Sequence, residues 1–111
     1  MGRTPLREFL HSDDLGRALV FLMRNYFEEQ FINVGSSTDL PIRELAETVA
    51  RVIGYRGEIL WDPTKPDGTP RKLMDSSRLR ALGWQPQVAF EDGIAGAYRD
   101  FLSREQRATR V

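Results

Sequence analysis

Apolar positions recur along this chain with two different periods, and their alternation lays out the elements. "REFLH" (7–11) is short and half apolar, which suits a strand. In the following "HSDDLGRALVFLMRNY", Leu15, Ala18, Leu19, Leu22 and Met23 keep the i, i+3, i+4, i+7, i+8 spacing of one helix face. Ser12 or Asp13 is the expected cap, because a short side-chain oxygen accepts a free N–H of the first turn. Val20 and Phe21 widen the apolar face, as in a helix packed on more than one side. "FINVG" (31–35) is β-branched and aromatic and reads as a strand. Pro41 then opens a helix, where its missing N–H costs nothing. That helix aligns Ile42, Leu45, Ala46, Val49 and Ile53, and Gly54 ends it. "EILWD" (58–62) is the next expected strand, "DSSRLRALGW" a short capped helix ending at Gly83, and "AFEDGIAGAYRDFLSREQ" a final amphipathic helix. Residues 103–111 are expected to form a disordered tail.

Strands alternating with helices predict a mixed α/β fold with parallel pairing. Few short strands accompany about four helices, so the expected sheet is incomplete. At 111 residues the chain makes one domain. Its 16 basic and 16 acidic residues balance, which gives no reason to expect nucleic acid or an anionic membrane as partner. Cysteine is absent and histidine occurs once, so no metal site is expected. No apolar run approaches the length of a membrane span, and the N-terminus does not read as a signal peptide. A soluble cytoplasmic domain is the expectation.

Three catalytic schemes fail on the residues. The turn in "INVGSSTDLPIREL" has the strand–turn–helix order of a dinucleotide site but one glycine where three are needed. A tyrosine with a lysine four residues later would form a reductase pair. Tyr26, Tyr55 and Tyr98 are followed there by Gln30, Ile59 and Leu102. His11 beside Asp13 and Asp14 reads as structural, next to a helix start. No catalytic residue is therefore expected. Two polar features remain. Arg7 stands at the start of an apolar strand, where its guanidinium offers a fork to a phosphate. The loop "DPTKPDGTPRK" holds both lysines of the chain, Lys65 and Lys72, in a stretch stiffened by Pro63, Pro66 and Pro70. Asp67 in that loop offers acceptors suited to a ribose diol.

"TPLREFLHSDDLGRAL", "INVGSSTDLPIRELAETVARVIGYRGEI" and "DPTKPDGTPRKLMDSSRLRALGW", in that order, resemble the C-terminal third of the GDP-L-fucose synthase family of extended short-chain dehydrogenase/reductases. The resemblance implies that residues 1–102 are the substrate-binding region of an extended Rossmann-type nucleotide-sugar epimerase/reductase. It implies epimerisation of GDP-4-keto-6-deoxy-mannose, then reduction by NADPH. Arg7, Asp67 and, more weakly, Lys72 are the implied GDP-sugar contacts. The N-terminal Rossmann domain that holds NADP(H) and the catalytic groups is expected to be missing, so this chain alone should be inactive and bind no cofactor. A non-catalytic GDP-sugar-binding module and an inactive gene remnant are the alternatives.

Overall fold

A computed structural model describes residues 4–66 and 68–109. The elements are β1 (Leu6–Glu8), α1 (Ser12–Asn25), β2 (Asp39–Pro41), α2 (Ile42–Ile53), β3 (Arg71–Lys72), α3 (Ser77–Ala81) and α4 (Phe90–Thr109). The four expected helices all form, because apolar periodicity is a local signal, but the caps differ: Pro41 ends β2 just before α2, and neither it nor Ser76 before α3 makes a side-chain cap bond. Gly54 ends α2 at φ 77, and its N–H reaches the carbonyls of Ala50 and Arg51. The first helix is capped by neither Ser12 nor Asp13: His11 is the cap residue, and its Nδ1 accepts from Asp13 N at 3.0 Å. An imidazole nitrogen is an acceptor like a hydroxyl, and the extended backbone at His11 aims it at the first turn. The last helix continues to Thr109, through residues expected to be a tail.

The strands depart further from expectation. The sheet has order β2-β1-β3, with β1 antiparallel to β2 and parallel to β3. Parallel pairing thus holds for one of the two pairs. Residues 31–35 and 58–62 form no strand, whereas β2 and β3 arise in stretches expected to be a turn and a loop. A β-rich sequence becomes a strand only beside a partner, and no strand runs alongside 31–35 among the described residues. Side chains hold that segment instead. Arg78 donates to Phe31 O at 2.8 Å, Asn33 to Asp75 O at 3.1 Å, and Arg80 to Ser36 O at 2.9 Å. Ile59 and Trp61 from the second segment line an apolar groove along Leu45, Val49 and Ile53 of α2.

Ala18, Leu79 and Trp84 form the buried apolar centre, with Leu10, Phe21, Leu22, Ile32 and Val34 packed around it. Beyond this centre α2 packs on α4, joined by Arg51 Nε and Glu91 Oε1 at 3.1 Å. The molecule is flat, 49 × 42 × 21 Å. Its radius of gyration of 17.2 Å exceeds the ~13 Å of a compact chain this long. No helix among the described residues is long and apolar enough to cross a membrane.

Candidate functional site

Alternation along the three short strands sorts their side chains into two faces. In register, Arg7 lies beside Lys72 on β3 and Leu40 on β2, while Glu8 pairs with Asp39. One face of the sheet therefore carries Arg7 and Lys72. The other carries Glu8, Asp39 and Arg71.

The second face is closed on itself. Arg71 reaches across β1, and its Nε lies 2.6 Å from Asp39 Oδ2. Glu8 Oε2 accepts from Ser37 N at 2.7 Å, and Oε1 accepts from Met74 N at 3.3 Å. Ser37 has φ 67, a left-handed conformation that few residues other than glycine adopt. Its hydroxyl also lies 2.6 Å from that of Ser76.

The first face is cationic. Arg7 is half-buried, and its Nη1 donates to Leu6 O at 2.8 Å. Neither Arg7 nor Lys72 has an ion pair among the described residues. Paired side chains on neighbouring strands stand about 5 Å apart, so like charges there repel unless an anion joins them. The same guanidinium extends towards the loop before β3: a Cβ placed on Gly68 would lie 3.7 Å from Arg7 Nη2. Gly68, at φ 75, makes the turn that glycine alone adopts freely. Arg7 and Lys72 are thus brought together, and Arg7 meets the loop that contains Lys65. Asp67 lies outside the described residues.

Two further observations narrow the chemistry. A groove of about 470 Å³ lies between the β1–α1 turn and the start of α4, lined by Phe9, His11, Val88, Phe90 and Ile94. It carries no lysine or arginine, so an anion does not belong there. No cluster of His, Asp and Glu suited to a metal ion occurs among the described residues.

Sequence relatives cover nearly the whole chain. A putative GDP-L-fucose synthase 2 from Arabidopsis thaliana is 54% identical over 99 residues, which are 89% of this chain and 30% of that protein. A GDP-L-fucose synthase from Escherichia coli is 45% identical over 113 residues, 94% of this chain and 35% of its own length. This chain matches the C-terminal part of the GDP-L-fucose synthases. It spans about a third of the length of these synthases. Among solved structures, a GDP-L-fucose synthetase from Naegleria fowleri bound to NADP superposes with TM-score 0.89 at 28% identity, covering 95% of this chain and 34% of that one. A GDP-6-OMe-4-keto-L-xylo-heptose reductase from C. jejuni gives TM-score 0.83 at 32% identity, over 91% and 32% of the two chains. No family model matches the chain. The fold is therefore mixed α/β with an incomplete sheet, similar to part of these Rossmann-type reductases, as the resemblance implied.

Sequence reasoning missed three residues of the fucose-synthase-like frame. Glu8, Asp39 and Arg71 hold the sheet, and in strands of two or three residues the alternation that separates them from Arg7 and Lys72 is too short to read. Asp14 was missed as well. Fully buried, it accepts from Gln87 N at 2.9 Å, Val88 N at 3.0 Å and Arg17 Nη2 at 2.9 Å, tying α1 to the approach to α4. The doubled acid in "SDD" was its only trace.

Proposed function

We propose that this chain is the substrate lobe of a fucose-synthase-type enzyme and that its cationic face holds the diphosphate of a GDP-sugar. The observation that carries this reading is the pairing of Arg7 with Lys72 on one sheet face, without a carboxylate partner among the described residues. A diphosphate presents oxygens a few ångströms apart, so it bridges a guanidinium and an ammonium that otherwise repel. Arg7 supplies a planar fork and Lys72 a point charge. Asp67, in the adjoining loop, accepts from the ribose hydroxyls.

The epimerisation and the reduction by NADPH belong to a dinucleotide-binding half, in the same polypeptide or another. The segment from 31 to α2, which the sequence suggested as strand–turn–helix, does not suit a dinucleotide. Gly35, the glycine of that turn, has the Glu8 carboxylate 2.7 Å from where a Cβ would stand, and the same carboxylate takes the N–H of Ser37. A second anion would meet repulsion there. The α1 surface supports the existence of a covering half: Leu19, Val20 and Met23 are exposed at 51%, 47% and 78%. Apolar groups gathered in this way mark a docking face.

Titration of the chain with GDP by calorimetry tests the reading. Binding should weaken about tenfold in Arg7→Ala and again in Lys72→Ala, each change being worth a charge-assisted hydrogen bond. Asp67→Asn should weaken GDP but leave inorganic diphosphate unchanged. A folded chain that ignores GDP, or an affinity untouched by Arg7→Ala and Lys72→Ala, overturns the assignment.

A further inference from the structure

We infer that Glu8 is the positioning residue of the cationic face: its carboxylate clasps the 35–37 turn to the chain following β3, and this holds Lys72 beside Arg7. The inference rests on the reading of that face as the diphosphate site, and adds the residue that builds it.

β3 contains two residues, too few for a ladder to fix its own register. Beyond the ladder, the tie from β1 to the chain that follows β3 is the bond from Met74 N to Glu8 Oε1, spanning 66 positions of sequence. The other oxygen takes Ser37 N. One carboxylate therefore joins three separate stretches of chain at a point directly behind Arg7. The side chain itself points away from Arg7 and Lys72, on the opposite sheet face, so it does not neutralise them at close range. A clasp that left the cations unpaired is what an anion site needs.

Residue choice follows from the two donors. A carboxylate offers both oxygens as acceptors, whereas a glutamine offers one and would aim its NH₂ at an N–H. Aspartate is one methylene short of spanning the gap. Gly35 leaves the space that the clasp occupies, since a Cβ there would stand 2.7 and 2.9 Å from the two carboxylate oxygens.

Glu8→Gln and Gly35→Ala break the clasp by different routes, one removing an acceptor and the other displacing an intact carboxylate. In NMR spectra of the 111-residue chain, both variants should lose the cross-strand contacts between β1 and β3 while the α1 and α2 resonances stay in place. Both should raise the Kd for GDP at least fivefold. Retained β1–β3 contacts with GDP affinity within twofold of wild type overturn the inference. Loss of those contacts in a chain whose wild type ignores GDP keeps the clasp and removes the diphosphate reading. If Glu8→Gln does not fold, Gly35→Ala decides. The wild type is itself a check: Ser37 and Met74 amides that exchange as fast as free loop amides rule the clasp out.

Discussion

At position 14 a carboxylate with 1% of its surface exposed accepts from two backbone N–H groups and a guanidinium. Burial pushes its pKa up. The bonds from Gln87 N, Arg17 and Val88 N pull the other way and prevail, so the group titrates below its ordinary 3.8. A carboxylate depressed in the folded state adds stability that is complete above the ordinary value and disappears as pH falls through the native one. Asp14→Asn should therefore cost about 3 kcal/mol at pH 7, since one amide oxygen cannot serve the donors that two carboxylate oxygens serve. Urea melts of both proteins check this, and the gap between them should shrink as the pH is taken below 3.8. Equal gaps at pH 7 and pH 3 would contradict it. The single histidine has a quieter role. Its Nδ1 caps α1, and its ring packs on Gly93 of α4, where a Cβ would approach Cδ2 to 2.9 Å.

Among the elements, α1 has two apolar sides. Ala18, Phe21 and Leu22 face the core, while Leu15, Leu19, Val20 and Met23 face outward. Replacing Leu19 and Met23 together by glutamate should leave the thermal midpoint within a few degrees, because both side chains are already largely in water. The same change should reduce self-association in sedimentation velocity and abolish productive mixing with a dinucleotide-binding half. A large fall in the midpoint would place these residues in the core instead. The breadth of this helix face was legible in the sequence, as were α2, α3 and α4, because helix periodicity and caps are local signals. Arg7 and Lys72 were legible as residue types in an unusual setting. The strands were not. Whether "FINVG" or "EILWD" pairs depends on what lies beside it, and pairing partners are non-local. "RK" at 71–72 became a strand for the same reason, as it happens to run alongside β1.

For the molecule as a whole, thickness matters more than length. A plate 21 Å thick is about two layers of secondary structure, and among the described residues only Ala18, Leu79 and Trp84 are buried apolar side chains. Its rigidity is accordingly uneven. The described residues of 55–70 contain no helix or strand, and the chain returns to the frame through β3 and the bond from Leu6 N to Pro70 O, 2.8 Å long. An anion that bridges Arg7 and Lys72 would cross that same seam and stitch the two strands from the side-chain level. Ligand and seam then favour each other equally, since coupling between two binding events is reciprocal. Amide exchange at Leu6 should slow when GDP is added, and unchanged exchange at saturating GDP would show that the two are independent. On the proposed reading, the two-residue strand is a fastener that the bound anion completes, so anion affinity and the firmness of the β1–β3 pairing rise and fall together.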